Sequence, residues 1–229
     1  MPFQDDSGLV REDRPHPLVA PFAAFAAQVE RVVLVNVGWS LQLIPALVAF
    51  AFDLPPLART ALTLYTVLAL IPATGWLYQM ARHAADHDHL SPEVAREALE
   101  RMFLPSFRVL LPLFGSMGLL FAVSAWAEAG GLFGIAVAAR LAILLYGTTM
   151  LWWGVLHAQY PTWSAVRVAL EAARMVWRDP APSLLPIGAT AISLLIGVIS
   201  IGGIFLAVPI LIALLGTTMA DYLKAQVHS

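Results

Sequence analysis

Residues 132–156 read LFGIAVAARLAILLYGTTMLWWGVL, and Arg140 is the one charge among them. A helix needs about 20 mostly apolar residues to cross the hydrocarbon core of a bilayer. A surface helix of a soluble domain would show a polar stripe. This segment has none, so it predicts a membrane span. Upstream of it, residues 109–126 form a second apolar run, separated from the first by the short polar turn 127–131. Two spans joined by so short a turn make a hairpin.

The same reading gives six spans: 32–52, 61–78, 109–126, 132–156, 184–201 and 204–222. The last two divide a continuous apolar run at Ser200-Ile201-Gly202-Gly203, a turn signal. A broken or re-entrant hairpin is the alternative there. Composition agrees with a membrane protein. The hydrophobic share is 59% and the charged share 12%, against roughly 45–50% and about 25% in soluble domains. The expected fold is therefore all-α and polytopic: six transmembrane helices as three hairpins, joined by cytoplasmic amphipathic helices. Residues 21–229 make a single transmembrane domain. Residues 1–20 are polar, lack the basic-then-apolar order of a signal peptide, and read as a disordered cytoplasmic tail.

Positive charge orients the spans, because basic residues stay on the cytoplasmic side. With the N-terminus inside, 11 of the 13 Lys and Arg fall on the inner side, and only Arg59 and Arg140 on the outer. Both termini are expected in the cytoplasm. Twelve of those 13 are Arg, and alanine is abundant, which reads as a bacterial sequence of the inner membrane. A net charge of −2 without a clustered basic face excludes a nucleic-acid binder. Absence of cysteine excludes disulfides and thiolate chemistry.

The inner loops carry pattern. Ser91-Pro92 opens a helix, with proline in the tolerated first position. Val94, Ala98, Met102 and Phe103 lie on one side of it, opposite Glu93, Arg96, Glu97 and Glu100. In the second inner loop Arg167, Glu171, Arg174 and Arg178 form a stripe opposite Val166, Leu170, Ala173 and Trp177. Such helices either pack under the bundle as connectors or lie in the membrane interface. A repeat is also visible. Glu30, Glu97 and Glu171 each precede a span proline, Pro45, Pro112 and Pro186, by fifteen positions. Even-numbered spans share Pro72-Ala73-Thr74-Gly75, Gly147-Thr148-Thr149-Met150 and Gly216-Thr217-Thr218-Met219. Three copies of one hairpin would put a pseudo-threefold axis along the membrane normal.

Several residues are candidates for chemistry. His83, His87 and His89 crowd one inner loop with Asp86 and Asp88; imidazole and carboxylate suit zinc-like ions, and a solvated polar linker is the other reading. Arg140 is a charge at depth, which marks function or snorkels outward beside Glu128. Asn36, Thr74, Thr148, Thr149, Thr217 and Thr218 are polar groups within spans. They either glue helices together or line a polar path that binds a solute. Trp76, Trp152, Trp153, Trp163 and Trp177 fit an aromatic belt at the inner interface. No phosphate loop, nucleophile elbow or His-Glu metal helix is present, so no enzyme and no cofactor is expected.

Asn36-x-x-Trp39 followed by Pro45, then Pro72 to Tyr78 followed by Arg82, resembles the YesL-like family of bacterial membrane proteins. Phe103, Phe107-Arg108, Tyr160-Pro161 and Arg178-Asp179-Pro180 are similar to its two inner loops. The resemblance covers roughly residue 30 to the end. It implies an accessory role beside a carbohydrate uptake system, with an ABC transporter as partner in the bilayer. The remaining expectation is a small-solute transporter or channel with its site at the threonine clusters.

Overall fold

A computed structural model describes residues 19–86, 88–178 and 207–227, with Pro180 and Gly188. Among the described residues the fold is all helical, without strands. The helices are α1 (Ala20–Ala27), α2 (Val29–Ser40), α3 (Ile44–Ala51), α4 (Pro56–Ala85), α5 (Pro92–Ala129), α6 (Phe133–Gln159), α7 (Ala165–Arg178) and α8 (Val208–Val227).

Four segments are long and apolar enough to cross a membrane: Val29–Ala51, Pro56–Ala85, Pro92–Ala129 and Phe133–Gln159. They cover, to within one residue, the first four spans read from the sequence. Only 22–33% of their most apolar windows is buried inside the bundle. Leu34, Phe50, Leu64, Leu119, Phe121 and Leu144 all point outward. Water does not tolerate contiguous apolar surface on this scale, whereas hydrocarbon does. The expected span 184–201 and the glycine turn lie outside the described residues.

Local chemistry explains the breaks. Pro45 has no N–H and its ring clashes with the carbonyl four residues back. The first span accordingly narrows to a 3₁₀ turn at Leu41–Leu43 between α2 and α3. Pro72, Pro105 and Pro112 are absorbed within continuous helices. The two described copies of the proposed repeat thus differ, since the helix breaks before Pro45 and runs unbroken through Pro112. At the turn after α5, Gly131 has φ +68°. Its N–H bonds Glu128 and the next N–H bonds Ala127, a Schellman motif that closes the helix on a left-handed residue.

Two expectations are corrected. The inner helix opening at Ser91 is not separate from the third span. Ser91 caps it, accepting from the Val94 N–H, and one helix of 38 residues then runs to Ala129. At 1.5 Å per residue that is roughly 57 Å, well beyond a hydrocarbon core of about 30 Å. The long-loop end of α5 therefore projects past the apolar layer. Secondly, Trp152 and Trp153 belong to no belt: both are 0% exposed and sit in the core. The last helix, α8, runs for 20 residues from Val208 to Val227. Gln159, ending α6, bonds Asp221 of α8. From Asp221 back to Val208 is 13 residues, roughly 20 Å, about half the length of α6. So α8 begins near half depth.

That buried start is capped from another helix. Asn36 on α2 is fully buried, and its Oδ1 accepts the Ile210 N–H at 2.9 Å. A first-turn N–H has no partner within its own helix, and the asparagine supplies one.

α7 lies across α5 and α6 at the long-loop end. Val168, Ala172 and Val176 are buried against the bundle. Val166, Leu170 and Trp177 face outward, and Arg167, Glu171 and Arg174 occupy the remaining arc. A helix divided into protein-facing, apolar-exposed and charged thirds suits the boundary between headgroups and acyl chains.

Candidate functional site

The centre of the bundle is built on α4, where helix-breaking and helix-packing residues follow one another. Thr74 lies two residues after Pro72, and its hydroxyl accepts the Trp39 indole N–H at 3.1 Å. This links α2 to α4. Beside it is a cavity of about 540 Å³, walled by Trp39, Thr74, Tyr78, Phe114, Leu151 and Ile212, with Val208 and Pro209 at its edge. Gly147 and Gly154 on α6 complete the wall. Val67, Gly147 and Met150 line the cavity and are also exposed on the outside of the bundle. The cavity therefore opens sideways, between α4 and α6. None of its lining side chains among the described residues is charged.

Below it, α4 and α6 cross with unusual closeness. Gly75 and Tyr78 are three apart on α4; Gly154 and His157 are three apart on α6. The helices run parallel, both towards the long-loop end; Gly154 meets the Tyr78 ring, and Gly75 faces Ser106 and the edge of the His157 ring. An ideal Cβ on Gly154 would stand 2.2 Å from the Tyr78 ring. One on Gly75 would stand 2.0 Å from Ser106 Oγ and 3.6 Å from the His157 ring. Ser106 of α5 closes the junction, with its hydroxyl 3.2 Å from His157 Nε2. The Tyr78 hydroxyl donates to the Leu151 carbonyl at 3.4 Å. Ser106 and His157 are both 0% exposed. A Ser–His pair resembles part of a hydrolytic triad, but this one is sealed inside three helices and ties them together. His157 Nδ1, Trp152 Nε1 and Gln79 Oε1 have no hydrogen-bond partner among the described residues.

The sequence-derived candidates scatter. Thr74 lines the central cavity, whereas Thr149 lines a second groove of about 760 Å³ with Tyr146, Leu170 and Trp177. Thr149 accepts from the Trp153 indole at 3.1 Å and donates to its own helix. Thr148, Thr217 and Thr218 donate to carbonyls three or four residues back. These hydroxyls face their own helices. Asn36 is the cap already described. Arg140 pairs with Glu128 at the short-turn end, and both side chains are about half exposed. His83 Nδ1 contacts Asp88 at 3.0 Å, while His89 contacts Arg31 of α2. His87 lies outside the described residues. No group of three metal-ligating side chains occurs among the described residues.

Trp39, Tyr78, Ser106, Gly154 and His157 were not among the sequence candidates. The Gly-x-x-aromatic spacing at Gly75-Tyr78 and again at Gly154-His157 was the available signal. No family model, no curated protein and no solved structure matches this chain.

Proposed function

We propose that this chain is a non-catalytic accessory protein of a bacterial inner membrane, with both termini in the cytoplasm. Its partner on this reading is a membrane transporter such as an ABC-type carbohydrate uptake system, and its kinship is with the YesL-like family. The observation that carries the reading is the projecting end of α5. Leu99 and Phe103, one turn apart, are exposed there. Arg96 and Glu100, themselves paired at 3.5 Å, flank them. An exposed apolar patch rimmed by charge is the usual mark of a protein contact. The amphipathic α7 beside it would hold this surface at the level of the headgroups. The half-depth start of α8 favours the broken form of the last hairpin over two full spans.

The test is purification of the tagged, full-length chain from mildly crosslinked native membranes. Wild type should bring down a transporter, and Phe103→Glu with Leu99→Glu should lose it. Wild-type protein that carries no membrane partner would sink the reading.

A small-solute transporter with its site at the threonine clusters is the second reading, supported by the groove that Thr149 lines. It predicts that Thr149→Val and Thr218→Val lower uptake in proteoliposomes. Their hydroxyls are spent on helix carbonyls, which favours the accessory role.

A further inference from the structure

The central cavity has a chemistry of its own, separate from the accessory role and independent of it. Its volume of about 540 Å³ falls within the roughly 300–1,000 Å³ of small-molecule sites. Its walls are aliphatic and aromatic, and among the described residues no lining side chain is charged. Its mouth lies between Val67, which is 50% exposed, and Met150, 43% exposed. Those residues belong to α4 and α6, both long and apolar enough to cross a membrane. A ligand enters from the hydrocarbon, not from water.

One polar group stands out. Thr63, Thr66, Thr148, Thr149, Thr217 and Thr218 each donate their hydroxyl proton to a carbonyl of their own helix. Thr74 does not. It accepts from Trp39, and among the described residues its own proton meets no acceptor. A hydroxyl in an apolar setting without an acceptor is costly. Pro72, two residues earlier, lies within the same helix. Val208 and Pro209 bring the first turn of α8 to the same wall, with the positive end of its dipole. Both features favour an oxygen acceptor in the ligand. No cation lines it among the described residues, which disfavours a full negative charge, since that charge would stay unpaired.

We infer that the cavity between α4 and α6 binds a neutral, largely hydrocarbon membrane molecule that presents one carbonyl-type acceptor to the Thr74 hydroxyl. An ester or ketone on an acyl or isoprenoid chain has this chemistry; a sugar or a carboxylate does not.

Trp39 lines the cavity and serves as reporter. The experiment titrates the full-length protein in detergent micelles with methyl 9,10-dibromostearate and follows tryptophan quenching. A saturable phase should appear in wild type and vanish in Trp39→Phe. Gly147→Leu, which fills the cavity from α6, should abolish it. A Cβ at Gly147 meets nothing closer than Met117 at 3.9 Å, so the change is sterically mild. Ile212→Phe fills from the opposite wall and replaces it if Gly147→Leu does not fold by circular dichroism. Thr74→Val should raise the Kd for the ester roughly two- to tenfold and leave 9,10-dibromooctadecane, which lacks an acceptor, unchanged. Quenching that does not saturate, or survives both filling variants, overturns the site. Tighter binding of the 9,10-dibromostearate anion than of its ester, or equal effects of Thr74→Val on ester and hydrocarbon, overturns the ligand class. None of these outcomes touches the accessory reading.

Discussion

A single methyl group added at Gly154 should loosen α4 from α6. The new Cβ would lie 2.2, 2.3 and 2.6 Å from three atoms of the Tyr78 ring, where ordinary contact needs 3.4 Å or more. The ring has little room to yield, because Tyr78 is 8% exposed and its hydroxyl is tied to the Leu151 carbonyl. Relief therefore requires the helices to part by about 1 Å, which also strains the Gly75–Ser106–His157 contacts one turn away. Overpacking of this kind costs about 3 kcal/mol at the upper end of its usual range. Replacing glycine in a helix interior returns about 1 kcal/mol. The net loss is about 2 kcal/mol, or roughly 4–8 °C in Tm for a chain of this length. Gly115→Ala and Gly118→Ala are internal controls, since a Cβ at either meets nothing within 4 Å. They should be neutral or slightly stabilising. Thermal unfolding of the purified protein in detergent, followed by circular dichroism, reads all three. In a Tyr78→Ala background the Gly154→Ala penalty should disappear, because the clash is pairwise. If Gly154→Ala melts at or above wild type, or if the controls fall as far, the close crossing of α4 and α6 is wrong.

Other perturbations separate the remaining contacts. Asn36→Ala leaves the buried Ile210 N–H unpaired and should cost about 1–3 kcal/mol, measured by the same melts; an unchanged Tm would mean the cap carries no weight. Arg140→Ala breaks only a half-exposed pair with Glu128 and should shift stability by less than about 1 kcal/mol. The chain has no native cysteine, so single-cysteine variants map its orientation. Ala129→Cys should react with a membrane-impermeant maleimide in intact cells and Ser91→Cys only after lysis; the reverse pattern would invert the proposed topology.

Much of the fold was legible in the sequence because hydrocarbon imposes a crude rule. Any run of some 20 apolar residues announces itself, and four such runs match helices of sufficient length. The cap at Ser91 and the glycine turn after α5 were equally readable, since each depends on local chemistry. What the sequence hid was non-local. Nothing near Ser91 says that its helix continues through Pro105 into the next span, since a proline interrupts some helices and is carried by others. Trp152 and Trp153 have the composition of an interfacial belt, and only the packing of α5 and α6 around them shows that they are core. The threonines looked alike as letters. Thr74 differs because Trp39, thirty-five residues away, meets it from another helix. Likewise Ser106 and His157 are distant in the chain and meet only because two glycines let α4 and α6 close.

The unbroken course of α5 has a mechanical side. Pro105 and Pro112 each remove one backbone hydrogen bond, to the carbonyls of Arg101 and Arg108. They are seven residues apart, so at about 100° per residue they fall within about 20° of the same azimuth. The two weak points add instead of cancelling. Such a rod is stiff sideways and compliant in one plane, like a leaf spring. A load at its projecting tip, where Leu99 and Phe103 sit, would swing the tip along one arc relative to the span held between α4 and α6.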